Sequence, residues 1–153
     1  MLPGVIALGY HQVHINDQTF TLAVAPAQCY SLADALGTPH PRCWGLSAQL
    51  YSLRRPGDGG LGDCLALEGL ARSAAERGAT ALAISPVHAM FTRNHPSYSP
   101  YSPSSRLFLN SLYASPQAVI DERTVRITVQ ALGLEAQLEQ LEGLPLIDWP
   151  RAA

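Results

Sequence analysis

Two apolar segments, separated by a glycine-rich loop and an amphipathic stretch, constrain the fold of this chain more than any other feature. The first is CWGLSAQLYSL at residues 43–53, and the second is TALAISPVHAM at residues 80–90. The first is continuously apolar enough for a strand that is buried on both faces, as in a parallel sheet, and the second is another apolar strand, closed by Pro86. The order strand, helix, strand therefore predicts a βαβ unit with parallel strands and a right-handed crossover.

The segment between them, CLALEGLARSAAERGA, predicts the crossover helix. Asp63 is a good N-cap and Gly78 a good C-terminal stop. Glu68 and Arg72 stand four residues apart in the order that favours an ion pair on a helix surface. One apolar face is formed by residues at helical spacing: Leu67, Leu70, Ala71 and Ala74.

The N-terminal part reads as extended structure. YHQVHI alternates apolar and polar residues, Asn16 and Asp17 supply a turn, and TFTLAVA follows as a second strand. This pattern predicts a β-hairpin that ends at Pro26. Residues 31–42 contain glycine and two prolines, so we interpret them as a connection and a domain boundary.

The C-terminal part is less decisive. RTVRITVQAL, at residues 123–132, alternates like a strand, yet Val125, Val129 and Leu132 also fit one face of a helix. LEAQLEQLEG, at residues 134–143, predicts a short helix that Gly143 ends.

Composition excludes several classes of function. A net charge of −2 offers no basic patch for nucleic acid, and no apolar run is long enough to span a bilayer. The N-terminus lacks the basic leader of a signal peptide. The odd number and wide spacing of Cys29, Cys43 and Cys64 favour reduced, buried thiols over a disulfide framework or a zinc site. We therefore expect a cytoplasmic protein without metal or cofactor. Charged residues make up only 14%, so we expect some of the surface to be meant for burial.

The glycine-rich loop RRPGDGGLGD offers a weak case for chemistry. It lacks the GK[ST] ending of a P-loop, and its two aspartates would repel a phosphate. Asp58 and Asp63 could form a carboxylate pair, but a turn followed by a helix cap explains them better. His88 follows the second strand near the ligand-binding edge of a parallel sheet, where a structural hydrogen bond is its commoner role.

The segment NHPSYSPYSPSSRLFLNSLY, at residues 94–113, offers a stronger case. The rings of Tyr98 and Tyr101 can face sugar C–H surfaces, and their hydroxyls can bond sugar hydroxyls together with Ser99 and Ser102. A polyol-binding loop and a rigid turn with its tyrosines packed on the core explain the pattern equally well. Three prolines reduce the entropy lost on ordering this loop: Pro96, Pro100 and Pro103.

Three motifs in this order and spacing resemble the amylomaltases, the 4-alpha-glucanotransferases of the alpha-amylase clan. They are CWGLSAQLYSLRRPGDGGLGD, ISPVHAMF and SPYSPSSRLFLNSLY, within residues 42–115. LGYH and the IDWP tail resemble the family more weakly. The resemblance implies the end of an N-terminal β-domain and a connection at residues 1–38. It implies the start of a (β/α)8 barrel at residues 39–153.

The family's reaction, as the resemblance implies it, is a retaining double displacement on α-1,4-glucans. An aspartate attacks the anomeric carbon, a glutamate protonates the leaving sugar, and glucose or another glucan accepts the glycosyl unit. Ser99 and Tyr101 match the family's serine and tyrosine on the donor side of the cleft. His88 and Asn110 are weaker candidates for substrate contact.

The resemblance also implies what this chain lacks. The nucleophile and the acid/base belong to strands four and five of the barrel, which has about 250 residues when complete. Asp121, Glu122 and Asp148 lie in no matching motif, so we expect no catalytic residue here. We expect an N-terminal fragment that binds glucan weakly, is inactive alone, and has the missing C-terminal part of the barrel as a partner. The alternatives are a non-catalytic carbohydrate-binding module and a purely structural α/β domain.

Overall fold

The computed structural model describes residues 7–91 and 98–152. The chain divides between Arg42 and Cys43 into two compact units. The β-hairpin lies in the first unit, and the predicted βαβ segment and the C-terminal helices lie in the second. Each unit is therefore described by itself.

The first unit contains the predicted hairpin, which is confirmed. Strands β1 (Gly9–Ile15) and β2 (Gln18–Val24) pair antiparallel, with Ile15 opposite Gln18 across the turn. Asn16 in that turn has φ 54°, a left-handed conformation that asparagine tolerates better than most residues. The two-residue turn therefore fixes the register of the pairing.

The connection after the hairpin contains a short helix that the sequence interpretation missed. Helix α1 (Leu32–Leu36) begins with a reciprocal capping box between Ser31 and Asp34 and ends at Gly37, whose φ is 63°. Hydrogen bonds from the Ser31 side chain and backbone lower the pKa of Asp34. Reading Gly37 only as a loop residue hid its role as a helix C-cap.

The second unit contains the βαβ motif, which is confirmed. Strands β3 (Gly45–Ala48) and β4 (Ala81–Ile84) pair in parallel, joined through helix α2 (Cys64–Glu76). Asp63 caps this helix by accepting a hydrogen bond of 2.9 Å from the Ala66 backbone, as predicted. The helix ends two residues before Gly78, whose φ is 83°.

Strand β3 differs from its prediction in length and burial. It is followed by a 3₁₀ turn at Leu50–Ser52, and Trp44 and Leu46 beside and within it are 47% and 38% exposed. The expectation of a strand buried on both faces is therefore wrong. Its cause is the small sheet, which in the described residues consists of β3 and β4 alone. The fully buried position is Leu50, which packs with Met90 and Tyr113.

A second antiparallel pair brackets the serine- and proline-rich segment and was not foreseen. Strand β5 (His88–Ala89) pairs with β6 (Ser105–Leu109), with an irregular register between the two paired positions. The sequence showed a loop that runs into apolar residues, but not that this loop closes a hairpin. β6 is exposed: Leu107, Phe108 and Leu109 are 90%, 68% and 74% accessible.

The C-terminal part is helical, which settles the open choice between strand and helix for residues 123–132. Its helices among the described residues are α3 (Pro116–Val119), α4 (Glu122–Leu132), α5 (Glu135–Glu142) and α6 (Trp149–Ala152). Asp121 caps α4 by accepting a 2.8 Å hydrogen bond from the Thr124 backbone, which together with the Thr124 side chain lowers its pKa. Gly133, with φ 66°, ends this helix. The predicted short helix that ends at Gly143 is confirmed as α5.

The cysteines differ from expectation in their surroundings. Cys29, Cys43 and Cys64 are free, as predicted, but all three are exposed rather than buried. Cys64 is the first residue of α2, and the other two lie in irregular segments outside the core. Within residues 7–91 and 98–152, no helix is long and apolar enough to cross a membrane.

Candidate functional site

The loop that leads from Tyr98 to Ser104 is held in a tight turn by its own backbone. Ser102 donates a hydrogen bond of 3.0 Å to the Ser99 carbonyl, and the Tyr101 backbone donates one of 3.3 Å to Ser99 Oγ. Pro100 is buried, while the neighbouring Ser99 and Tyr101 are exposed. The turn therefore presents these two side chains outward on a fixed backbone. Pro96, the first of the three predicted stiffening prolines, lies outside the described residues.

Both ends of this loop have an anchor. At the C-terminal end, Ser104 donates from its backbone and its hydroxyl to the Ala89 carbonyl, at 2.9 and 3.0 Å. At the N-terminal end, the Tyr98 ring stacks on Trp149, with centroids 5.4 Å apart and planes 9° apart. Tyr101 is 63% exposed. Tyr98 thus packs as the rigid-turn alternative expects, whereas the Tyr101 side chain is not packed on the core.

His88 and Tyr101 line one small cleft of about 170 Å³ beside this loop. The cleft offers an aromatic ring, an imidazole and a guanidinium within walls fixed by prolines. Such a mixture of apolar surface and hydrogen-bonding groups suits a sugar ring. Its lining residues are Pro86, His88, Pro100, Tyr101, Pro103 and Arg106.

Asn110 lies elsewhere, at a buried position directly after the last residue of β6. Its Oδ1 accepts a 3.1 Å hydrogen bond from Leu112, and its backbone donates one of 2.9 Å to the Val87 carbonyl. It therefore caps the 3₁₀ turn at Ser111–Tyr113. Asn110 is 6% exposed and is not among the residues that line the cleft with Tyr101.

The Asn110 amide faces the buried hydroxyl of Tyr113. Burial raises the pKa of Tyr113, and the nearby Asn110 amide opposes this increase. Asn110 Nδ2 and Tyr113 Oη do not reach hydrogen-bonding geometry with each other or with another group in the described part of the chain. Tyr113, at 2% exposure, thus stays a neutral phenol within the core.

The glycine-rich loop is stabilised by two ion pairs that sequence reasoning missed. Arg54 Nε lies 3.0 Å from Asp58 Oδ2, and Arg55 Nη2 lies 2.5 Å from Asp63 Oδ2. Burial by itself would raise the pKa of Asp63, but hydrogen bonds from Arg55 and Ala66 together with the Arg55 charge lower it. The signal was present in the sequence as two arginines, Arg54 and Arg55, at the start of the loop that contains Asp58 and Asp63.

The same loop is tied to distant segments of the second unit. Arg55 Nη2 donates a 3.2 Å hydrogen bond to Ser115 Oγ, and the Gly59 backbone donates one of 3.1 Å to Glu142 Oε1. Asp58 accepts further hydrogen bonds from the backbones of Arg55 and Gly60, at 2.7 and 2.8 Å. These carboxylates hold the loop in place, which supports the structural interpretation of the aspartate pair over the catalytic one.

Carboxylates outside the loop also have structural partners. Asp121 caps α4, and Asp148 lies 3.7 Å from Arg151. Across the described ranges, no group of three or more His, Cys, Asp and Glu side chains is arranged to hold a metal ion.

The comparisons with known proteins agree on one family. The family model described as 4-alpha-glucanotransferase matches residues 48–153. The chain is 37% identical over 130 residues to a 4-alpha-glucanotransferase of Mycobacterium tuberculosis, covering 78% of this chain and 18% of that protein. It is 33% identical over 112 residues to a 4-alpha-glucanotransferase of Haemophilus influenzae, covering 71% of this chain and 16% of that protein.

A solved structure gives the same result for the fold. The crystal structure of amylomaltase from Corynebacterium glutamicum superposes with a TM-score of 0.67 at 30% identity, covering 92% of this chain and 20% of that one. The chain thus spans less than a fifth of the length of the two curated relatives.

Proposed function

This chain belongs to the 4-alpha-glucanotransferase family, and on that premise we propose that it forms a glucan-binding edge of such an enzyme. The observation that carries the proposal is the loop with a buried Pro100 between the exposed Ser99 and Tyr101. Such a loop presents a hydroxyl and an aromatic face to solvent at a small entropic cost of ordering.

We propose that β3, α2 and β4 are the first βαβ unit of a (β/α)8 barrel, and that the hairpin ends an N-terminal β-domain at residues 1–38. Parallel strands with helical crossovers are the building unit of such barrels. The exposed Trp44, Leu46 and Ile84 support this proposal, because further strands and helices of a barrel would cover them. The partner we propose for this surface is the remaining, C-terminal part of the barrel.

Ser99 and Tyr101 are the proposed substrate-binding residues, and His88 lies beside Tyr101 in the cleft, whose lining does not include Ser99. The Tyr101 ring would lie against a glucose face, and the Ser99 hydroxyl and the His88 imidazole would hydrogen-bond sugar hydroxyls. Asn110 is retained only as a residue that positions this region, because it is buried and caps the turn after β6.

The reaction proposed for the complete enzyme is glucan transfer by retaining double displacement. Two carboxyl groups perform this chemistry, one as nucleophile and one as acid and then base. Asp58 and Asp63 are held by arginines, and Asp121 caps a helix. We therefore propose that the nucleophile and the acid/base come from another part of the barrel, and that glucose or a second glucan is the acceptor. A cytoplasmic location, in which exposed thiols remain reduced, fits the three free cysteines.

Replacing Tyr101 by alanine is expected to weaken binding of maltoheptaose about tenfold, the size of one lost aromatic contact. The fold should be retained, because the Tyr101 side chain is 63% exposed. Titration calorimetry of the wild type and of Tyr101→Ala measures the affinity for maltoheptaose. Far-UV circular dichroism measures whether the fold is retained. Tyr10→Ala, at an 84% exposed tyrosine of the hairpin, is the matched control and should bind as the wild type does.

Two results would contradict the proposal. The first is an unfolded Tyr101→Ala variant, which would make Tyr101 a structural residue. The second is release of glucose from maltotriose by the purified chain, which would place the catalytic carboxylates within residues 1–153.

A further inference from the structure

Trp149 links the loop from Tyr98 to Ser104, which we call the candidate glucan loop, to the core of the second unit. One face of its indole stacks on Tyr98, with ring planes 9° apart. The indole and the Tyr51 ring also meet edge to face, at a centroid distance of 5.5 Å and an interplanar angle of 66°. Tyr51 and Trp149 both pack against the buried cluster of Leu50, Met90 and Tyr113. The indole thus connects the loop to this buried cluster.

The stacking of Tyr98 on Trp149 lies at the N-terminal end of the turn that presents Tyr101. Tyr98 directly precedes Ser99, the first residue of the turn that presents Tyr101. The far end of the loop is fixed by the two hydrogen bonds from Ser104 to Ala89. With Tyr98 stacked, both ends of the turn are held, and its backbone has little freedom left to lose when a ligand binds.

We infer that Trp149 is a positioning residue, which holds the Ser99–Tyr101 turn in its binding conformation through the Tyr98 ring without touching the glucan itself. The inference rests on the proposed function for its ligand, an α-1,4-glucan, but the ring contacts and the order of the turn are independent of it. An aromatic ring at position 149 is the essential property, because stacking needs a flat face more than it needs the indole N–H.

Two measurements test the inference on the full chain. Chymotrypsin cleavage after Tyr101, followed by mass spectrometry, reports the order of the turn without any glucan. Trp149→Ala is expected to accelerate this cleavage and to weaken maltoheptaose binding, each by up to about tenfold. Trp149→Phe should restore both towards wild-type values. Trp44→Ala, which removes the 47% exposed tryptophan before β3, should change neither.

A second variant tests the inference if Trp149→Ala does not fold. If Trp149→Ala loses its far-UV circular dichroism signal, cleavage and maltoheptaose binding are measured on Tyr98→Ala instead. This variant removes the stacking partner and leaves the contact between Trp149 and Tyr51 in place. Wild-type cleavage rates in the folded variants would overturn the inference, as would a Trp149→Phe variant that behaves like Trp149→Ala. If the wild type binds no maltoheptaose while Trp149→Ala still speeds cleavage, the proposed function fails and the positioning role stands.

Discussion

Replacing Gly62 by alanine is expected to destabilise residues 43–152 by about 3 kcal/mol or more, the upper range for overpacking a tight site. An added Cβ would overlap the Leu50 carbonyl oxygen and would lie 2.7 Å from both the backbone nitrogen and oxygen of Leu53. These are backbone atoms, which cannot rotate away as a flexible side chain can. Where Gly62 lies this close to residues 50–53, its backbone N–H donates a hydrogen bond of 2.8 Å to the Tyr51 carbonyl.

Gly69 provides the matched control for this substitution. It lies inside α2, and a Cβ added there meets nothing within 4 Å. Gly69→Ala is therefore expected to stabilise the protein by about 1 kcal/mol through helix propensity. Urea unfolding followed by far-UV circular dichroism measures both changes. Equal stabilities of the two variants would show that the loop yields to the extra methyl group and that the close approach is not needed.

Replacing Asp63 by asparagine is expected to cost about 3 kcal/mol, the lower end for breaking a buried ion pair. The side chains of Arg55 and Asp63 are 20% and 5% exposed, so the arginine left behind is only partly rehydrated. Asparagine keeps an acceptor for the helix cap, which isolates the charge from the cap. The exposed pair Arg72 and Glu68 is the control, and Glu68→Gln should change the free energy of unfolding by no more than about 0.5 kcal/mol.

The contribution of Asp63 should depend on pH in a defined direction. The pKa of Asp63 is lowered from 3.8 in the folded chain, since its hydrogen bonds and the Arg55 charge outweigh the effect of burial. The unfolded carboxyl therefore takes up its proton first as the pH falls. The stability difference between the wild type and Asp63→Asn should be complete above about pH 5 and shrink below the ordinary pKa. A difference that grows on acidification would contradict this assignment.

Local signals made the βαβ unit predictable. Asp63, Gly78 and the helical spacing of apolar residues act over a few positions, and each was found where the sequence indicated. The choice between strand and helix at residues 123–132 could have been made in the same way. Asp121 before that segment and Gly133 after it are a helix N-cap and C-cap, whereas the apolar spacing alone fits both structures.

Features that depend on distant pairs were not predictable from the sequence. The segment that begins as β3 turns into a 3₁₀ helix at Leu50, where Gly62 approaches from across the loop. The hairpin of β5 and β6 joins residues separated by the proline-rich loop, and its prolines indicated only where regular structure stops. Two candidate residues, His88 and Tyr101, do line one cleft, while Asn110 is buried in a capping role.

The exposure of β6 has a practical consequence for work with this chain in solution. Leu107 and Leu109 point to one side of the strand and Phe108 to the other, so that apolar surface faces water in both directions. Fluorescent probes such as ANS bind surfaces of this kind. The folded chain should therefore bind such a dye and raise its fluorescence before any heating. A melting curve recorded with the dye would then start at a high fluorescence. A molecule that covers β6 would then lower the dye fluorescence at room temperature. The dye therefore reports whether the apolar surface of β6 is covered.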